Sequence, residues 1–582
     1  RVIRETRALA EQRRAQKLDY KKAFSAIEHA ETLIKTDPKA AYLKVRWAQR
    51  RMLLMDPLLN FDAIQFAKRA PGTYSHMSDQ YYGWWSRPGG GIYLLHDFKT
   101  DAPKLTALTD TFTEPGSFLR PAFSFDGKKV LFAWCKHYPD LAQNKNKLDK
   151  NTVPEDAFYH VFEMNADGSG VRQLTHGKYD DFDARYMPDG RIVFLSTRRG
   201  QFIQCGPNSV AETLANPALP DSYVRCGGGP ERPVAVYTLH TMDTDGGNLN
   251  AISPFEMFEW TPSIGRDGSI LYSRWDYVDR SNMPYMSMWA MHPDGTNSRL
   301  VYKNYTVAPH CTFEPQYIPN SNKIVFTGSA HHAQTMGSLV VLDTSVSTEG
   351  AGPIKRITPE VEFPEVEGWS KAFYSAPWPL SEDLYLVSWG IVRTPGEGLQ
   401  RDTNDLGVYL YHTSGQLELL CRDPNLACEW PIPQRARPAP PVIASTIKTD
   451  GPQEGRFLLS DVYQGLPQVP RGTIKALRLV AVPVKTHPVM NSPNMGLTSD
   501  DPGKCVLGTV PVEPDGSAYF RVPAGTIVFF QALDERGMAV QTMRTVTCVQ
   551  PGQTLSCVGC HEPRNSSPRT VRRSPGWPRT RR

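Results

Sequence analysis

Residues 124–132 read SFDGKKVLF, residues 187–194 read MPDGRIVF and residues 265–272 read GRDGSILY. In each copy, an Asp-Gly pair precedes a short apolar run of strand-forming residues. Because Asp-Gly supplies the positive φ angles of a tight hairpin turn, each copy predicts a turn followed by a buried strand. Residues 318–326, IPNSNKIVF, form a weaker copy in which Asn replaces Asp-Gly.

A second Asp-Gly phrase precedes some of these copies: MNADGS at 164–169, MDTDGG at 242–247 and MHPDGT at 291–296. Two hairpin signals in every ~40–80 residues are typical of a four-stranded blade repeated around an axis. We therefore predict a mainly β protein built on a six-bladed β-propeller of the TolB or WD40 type, with five and seven blades as alternatives. The blades are expected at about 91–135, 158–199, 234–276, 286–329, 338–391 and 406–445.

The composition agrees with a folded, turn-rich chain. Hydrophobic residues make up 40% of the 582 positions and charged residues 21%, which excludes wholesale disorder. No stretch approaches 18 consecutive apolar residues, so no transmembrane helix is predicted. The chain starts Arg-Val-Ile-Arg, so we expect any export signal to have been removed or to lie outside this sequence.

Four segments are predicted along the chain. Residues 1–60 form a helical leader, because apolar residues recur at helical spacing in Ala23, Ile27, Ala30 and Ile34. Residues 61–445 form the propeller, and the Pro-rich stretch 438–441 leaves it as a stiff linker. Residues 446–561 form a β-sandwich-like haem-attachment domain, and residues 562–582 a disordered basic tail.

The positive charge of the chain lies at its two ends. Residues 562–582 carry seven Arg against one Glu, and residues 1–60 carry fourteen Lys or Arg against seven acidic residues. The formal net charge is +5, so the body between the ends is mildly acidic. Nucleic-acid binding needs a basic face on the folded body, so no nucleic-acid partner is predicted.

The sequence Cys557-Val558-Gly559-Cys560-His561 carries the clearest chemical signal. Cys-x-x-Cys-His is the attachment signature of c-type haem: two thiols bond the haem vinyl groups, and the following His is held under the iron. The alternatives are a disulfide and half of a zinc site, but no second Cys pair stands nearby in the sequence. We predict covalent haem c on Cys557 and Cys560, with His561 on the iron.

The other cysteines and the histidines leave several assignments open. Cys205–Cys226 and Cys421–Cys428 each suit a loop-closing disulfide, with buried thiols as the alternative. Ten cysteines together with a haem motif fit an oxidising, periplasmic or otherwise exported location. The candidates for a sixth iron ligand are His76, His310, His331, His332, Met490 and Met495. His331 and His332 are the best pair, as distal or second-metal ligands, because they follow a predicted blade strand.

The segment from Trp275 to Arg280 is expected to cap a blade, with an Asp–Arg pair fixing the loop in preference to a substrate contact.

Several phrases resemble one family, the exported hydrazine synthase alpha subunit-like proteins of planctomycete-type bacteria. They are LLNFD at 58–62, DQYYG at 79–83, RPGGG at 87–91, RWDY at 274–277, AHH at 330–332, QALD at 531–534 and GMAVQ at 537–541, which leads into the haem motif. The resemblance covers about residues 57–564 and implies a middle β-propeller followed by a C-terminal haem domain. In that family the haem is thought to join ammonia to an intermediate made from nitric oxide at a partner subunit.

The resemblance also implies that a Tyr four residues after the motif His ligates the iron, while that His contacts zinc. Asn565 stands at the Tyr position here, Glu562 stands where an aromatic residue is expected, and no second Cys-x-x-Cys-His follows. These departures favour an ordinary His561-ligated haem or a paralogue of unknown reaction. The missing second motif and the Arg-rich end are also expected of a truncated chain, and zinc is a second candidate cofactor.

We therefore expect an exported c-type haem protein in redox chemistry or electron transfer, not itself a hydrazine synthase. An oxidoreductase acting on small nitrogen compounds is one form of this hypothesis, with redox partner proteins or sister subunits. A non-catalytic propeller scaffold with a structural or relay haem is the alternative. A propeller hydrolase is disfavoured, because the chain has no Gly-x-Ser-x-Gly nucleophile elbow.

Overall fold

The computed structural model describes residues 2–15, 20–71, 76–198, 230–255, 257–276, 280–281, 283–392, 405–483 and 503–560, with the single positions 211 and 215. His561, Met490, Met495, Cys205, Cys226 and the tail 562–582 lie outside the described residues. The predicted mainly β architecture is confirmed, with three α-helices before the strands.

The helices are α1 (Val2–Ala15), α2 (Lys21–Leu33) and α3 (Pro38–Leu54). Helix α3 begins at Pro38 because Asp37 caps it, its side chain accepting the backbone N–H of Ala40. None of the helices in the described part of the chain combines the length and the apolar character needed to cross a membrane.

Twenty-four of the described strands form six units, each a four-stranded antiparallel set. Unit 1 contains β1 (Ala63–Arg69), β2 (Gly90–His96) and β3 (Lys104–Ala107), and its first strand is β24 (Ala427–Pro433). Units 2 and 3 are β4 (Gly116–Phe123), β5 (Lys129–Lys136), β6 (His160–Asn165) and β7 (Arg172–Gln173), followed by β8 (Asp181–Tyr186), β9 (Ile192–Ser196), β10 (Thr238–Met242) and β11 (Asn250–Ala251).

Units 4, 5 and 6 follow in chain order. They are β12 (Glu259–Ile264), β13 (Ile270–Trp275), β14 (Met286–Met291) and β15 (Arg299–Tyr302); β16 (Cys311–Tyr317), β17 (Ile324–Ser329), β18 (Gly337–Leu342) and β19 (Ile354–Arg356); and β20 (Phe373–Pro379), β21 (Leu384–Gly390), β22 (Gly407–His412) and β23 (Gln416–Cys421). The first strands of the units contact one another in a cycle that closes where β24 meets β4. Strand β24 also pairs with β1, so the two ends of this region complete unit 1 together.

The Asp-Gly phrases mark two different hairpins within each of units 2, 3 and 4. The first phrase joins the first and second strands, as between β4 and β5, where Gly127 has a φ of 72°. The second phrase joins the third and fourth strands, as between β6 and β7. The predicted blade limits are therefore out of phase: the segment 91–135 contains two strands of unit 1 and two of unit 2. The repeat identifies hairpins, but it does not say which hairpins share a sheet.

The first strands of the six units share one feature. Each contains a β-bulge at the same position, and one residue of the bulge has a positive φ: Arg120, Asp183, Thr261, Glu314, Ala376 and Trp430. All of these residues except Asp183 are followed by Pro. A bulge re-aims side chains and tolerates Pro. These residues meet: the Arg120 guanidinium lies 2.6 Å from Glu314 and 5.2 Å from the Trp430 ring.

The strands after residue 446 form two further sheets. One contains β25 (Glu454–Leu459), β28 (Ala518–Pro523) and β31 (Thr554–Cys557); the other contains β26 (Ala476–Ala481), β27 (Cys505–Pro511), β29 (Val528–Leu533) and β30 (Ala539–Thr542). Phe457 and Phe520 from the first sheet share an apolar core with Leu477 and Ala532 from the second. The two sheets therefore pack on a common core.

Candidate functional site

The segment that carries the two motif cysteines is fixed on the C-terminal sheets. Strand β31 pairs in parallel with β25, which places Cys557 opposite Leu459. The backbone N–H of Cys560 donates to the Gln464 carbonyl at 3.1 Å, and the Asp461 N–H donates to the Val558 carbonyl at 3.0 Å. At Gly559, a Cβ atom would lie 2.5 Å from the Gln464 carbonyl oxygen, so only glycine permits this approach.

Both cysteines line a cavity of about 470 Å³ between the C-terminal sheets and unit 4. The wall on the side of the C-terminal sheets is apolar: Phe457, Leu459, Leu477, Phe520, Phe530 and Leu555. The cavity falls in the size range of small-molecule and cofactor sites. The fold thus turns Cys557 and Cys560 toward an apolar, aromatic space.

The opposite wall carries polar donors that lack partners. In the described part of the chain, the indole N–H of Trp289 and the Nη1 group of Arg299 are buried without a hydrogen-bond partner. Arg299 uses its other terminal nitrogen on Asp267, at 3.2 Å. Buried polar groups are normally paired, so these two donors leave hydrogen-bonding capacity unused in residues that line the cavity.

Arg274 supports this wall by packing against Trp289. Its guanidinium is completely buried and stacks between Phe255, at 3.7 Å, and Trp289, at 3.4 Å. It donates to Asp276 and to the Val546 carbonyl, each at 3.1 Å. Because Trp289 and Val546 both line the cavity, Arg274 joins unit 4 to the C-terminal sheets there.

These residues fit a c-type haem. Two cysteines separated by two residues face the cavity, an apolar wall suits a macrocycle, and orphaned donors suit its two carboxylates. Sequence reasoning named Cys557 and Cys560 but missed Trp289 and Arg299, which have no local motif.

A second cluster lies against Trp275, the neighbour of Arg274. His76, His331 and His332 each offer a nitrogen, and these three atoms lie within 4.8 Å of one another. The centroids of the rings are 4.6 Å apart for His76 and His331 and 4.3 Å apart for His331 and His332. Trp275 packs on His331 at 5.4 Å. The sequence pair His331-His332 thus gains a third histidine from the segment between β1 and β2.

Glu365, between β19 and β20, anchors this cluster. Its Oε2 accepts the backbone N–H groups of His331, at 2.8 Å, and His332, at 2.9 Å, and lies 3.3 Å from His310 Nδ1. Its Oε1 lies 2.5 Å from Nδ1 of His332. This carboxylate raises the pKa of His332, and the nearby imidazoles of His310 and His332 lower the pKa of Glu365 against the opposing effect of burial.

Burial dominates the other two histidines. It lowers the pKa of His331 to about 2, reinforced by His76 and His332, and it lowers the pKa of His76. Both rings are therefore neutral, with a lone pair, at physiological pH.

The structure separates the two predicted groups. Neither His331 nor His332 is among the residues that line the cavity of Cys557 and Cys560. The expected Asp–Arg pair of the Trp275 segment is present, because Arg280 donates to the Asp276 carbonyl at 3.0 Å. Cys421 and Cys428 approach within hydrogen-bonding reach as thiols, and this contact lowers the pKa of Cys421.

The amino-acid sequence is similar to that of known proteins. Residues 472–562 match the family described as the hydrazine synthase alpha subunit middle domain. A curated relative, hydrazine synthase subunit alpha of Kuenenia stuttgartiensis, is 22% identical over 559 residues, with 81% of this chain and 63% of the relative covered. The chain thus spans less than two thirds of that relative's length.

Two solved structures match this chain to different degrees. The hydrazine synthase of Kuenenia stuttgartiensis matches with a TM-score of 0.62 at 18% identity, covering 86% of this chain and 69% of that one. TolB of Acinetobacter baumannii matches with a TM-score of 0.36 at 10% identity, over 68% of this chain and 71% of that one. The predicted resemblance to the hydrazine synthase alpha subunit is confirmed in sequence and in fold.

Proposed function

We propose that this chain is an exported c-type haem protein, with the haem bonded to Cys557 and Cys560 in the cavity beside unit 4. The observation that carries the proposal is the cavity itself: both motif cysteines line it, opposite two buried donors that lack acceptors. A disulfide or half a zinc site explains neither the apolar aromatic wall nor the orphaned Trp289 and Arg299.

Each part of the cavity has a distinct task. Cys557 and Cys560 form the two thioether bonds, and Gly559 lets their loop dock on Gln464. The aromatic wall excludes water, and such burial is one of the levers by which a protein sets a haem potential. Arg299 and Trp289 are the residues that would donate to the haem carboxylates, and His561 is the expected iron ligand. When bound, the haem supplies one-electron oxidation and reduction.

We further propose that the six units are the blades of a closed propeller. Three observations support this architecture: the cycle of contacts between first strands, the pairing of β24 with β1, and the equivalent bulge in every first strand. Pairing of a late strand with an early one is a way to close such a ring without leaving an open edge.

The redox role proposed is electron transfer, or the oxidation or reduction of a small nitrogen compound, together with partner proteins or sister subunits in the periplasm. Its support is the similarity to subunit alpha of hydrazine synthase from Kuenenia stuttgartiensis. Asn565, at the position where the family resemblance implies an iron-ligating Tyr, argues against hydrazine synthesis itself.

The proposal is tested by the double variant Cys557→Ser with Cys560→Ser, secreted from a cell that matures c-type cytochromes. We expect complete loss of covalent haem by intact-protein mass spectrometry, because no thioether bond can form. Cys505→Ser is the matched control, since Cys505 is exposed on β27 and does not line the cavity. Covalent haem on the double variant, or none on the wild type, contradicts the proposal.

A further inference from the structure

We propose that His76, His331 and His332 bind a divalent first-row transition-metal ion of the zinc class, at a site separate from the haem cavity. The three ligand nitrogens already lie within 4.8 Å of one another. Imidazoles on one tetrahedral ion, at ~2.0–2.1 Å each, stand about 3.4 Å apart, so modest side-chain rotation completes the site. Three imidazoles without a thiolate suit zinc, copper and nickel.

The buried member of the trio supplies an independent indication. His331 is only 6% exposed, and its Nε2 has no hydrogen-bond partner among the described residues. A buried nitrogen left unpaired costs stability unless a ligand satisfies it. A metal ion removes this cost, whereas packing against Trp275 does not.

The outer contacts orient the other two rings. Nδ1 of His332 is held by Glu365 at 2.5 Å. Nδ1 of His76 is held by Ser78, whose backbone N–H it accepts at 3.2 Å and whose hydroxyl lies 2.6 Å away. Metal-bound histidines characteristically engage their second nitrogen with a carboxylate or a hydrogen-bonding neighbour, which fixes the ring. Each ring therefore keeps its other nitrogen for the ion.

The two segments that supply the ligands are also joined before any ion binds. The Met77 N–H donates to the His331 carbonyl at 3.2 Å, and the Gln80 side chain accepts the Thr335 N–H at 2.8 Å. The side chain of His332 is 48% exposed, so an ion reaches the site from solvent, where water takes the remaining position.

The test uses the full chain carrying Cys557→Ser and Cys560→Ser, which removes the haem motif as a competing zinc ligand. After incubation with zinc and gel filtration, mass spectrometry of the metal should find about one equivalent of zinc. Replacing His76 or His331 by Gln should weaken zinc binding by at least ~100-fold, and Glu365→Gln by about 10–100-fold. His29→Gln, on the exposed surface of α2, should change nothing.

Cobalt gives a second readout that does not depend on zinc content. Visible bands typical of tetrahedral cobalt should appear in the Cys-to-Ser protein and disappear in His76→Gln, whose fold is checked by circular dichroism. Zinc and cobalt binding that survives both His76→Gln and His331→Gln overturns the proposal, as does a folded parent protein that binds neither metal. Neither result depends on haem attachment, so this site and the haem proposal fail separately.

Discussion

Strand β13 presents two unlike faces to the two candidate sites. Arg274 points to the cavity wall, where it stacks on Trp289 and donates to Val546, while the adjacent Trp275 packs on His331 and His76. Successive residues of a strand point to opposite sides, so one dipeptide supports both sites. The two sites therefore differ in how the sequence encodes them. The two cysteines of the cavity belong to one contiguous motif, whereas the three histidines come from distant segments that the fold brings together.

Of all the proposed variants, Arg274→Met is expected to cause the largest loss of unfolding free energy. The substitution leaves Asp276 buried without its closest cation and removes a guanidinium stacked between two rings. Breaking a buried ion pair in this way costs ~3–5 kcal/mol of unfolding free energy, measured by urea denaturation. Arg521→Met, which removes an exposed pair with Glu454, is the control and should cost under about 1 kcal/mol. Equal costs for the two variants would rule out a special role for Arg274.

Asp180→Asn tests the buried carboxylate that fixes the chain segment after His76. Oδ1 of Asp180 accepts the N–H groups of Gly83, at 2.8 Å, and Tyr159, at 3.0 Å, so it anchors the segment that follows His76. Burial raises the pKa of Asp180 to about 7 from 3.8. Asn keeps both hydrogen bonds at the same oxygen but cannot ionise.

The sign of the pH effect follows from proton binding. Between about pH 4 and pH 7 the folded protein keeps the Asp180 proton while the unfolded chain has lost it, so the wild type loses stability as pH rises. We expect the free energy of unfolding of Asp180→Asn, relative to the wild type, to rise over this window by up to a few kcal/mol. A difference that stays constant from pH 4 to pH 8 would contradict the account.

Arg299→Gln is expected to have a small effect on the midpoint potential of the haem and none on the histidine cluster. Removing a positive charge beside a haem carboxylate disfavours the reduced iron, so the midpoint potential should fall by about 10–40 mV, the equivalent of ~0.2–1 kcal/mol. Arg266→Gln is the control, because Arg266 belongs to unit 4 but does not line the cavity. A larger shift in the control would place the haem elsewhere, and zinc binding should be the same in both variants.

Local signals explain what sequence could predict. Asp-Gly turns located the hairpins, and Cys557-x-x-Cys560 located the cavity, because both depend on residues close together in the chain. The phase of the units was wrong because strand pairing within a sheet is decided by tertiary contacts. The recurring Pro after the bulge residues, as at Arg120-Pro121 and Glu314-Pro315, was a usable signal for five of the six units that the Asp-Gly search did not exploit.

The remaining site residues were beyond local reasoning. His76 joins His331 across more than two hundred residues, and Glu365 holds His331 and His332 by accepting their backbone N–H groups, a contact that any residue type could make. Trp289 and Arg299 are distinguished only by one buried donor nitrogen each that has no hydrogen-bond partner in the described part of the chain. Such residues are identified by unsatisfied polar atoms, which become visible only in three dimensions.

The most direct test of the central claim is a pyridine haemochrome spectrum of the wild-type chain, secreted from a cell that matures c-type cytochromes and then denatured. The account predicts about one covalently bound haem per chain, with the absorption maximum of a haem whose two vinyl groups have been saturated by thioether bonds. A colourless, fully folded product, or haem that extracts into acidified solvent, would contradict it.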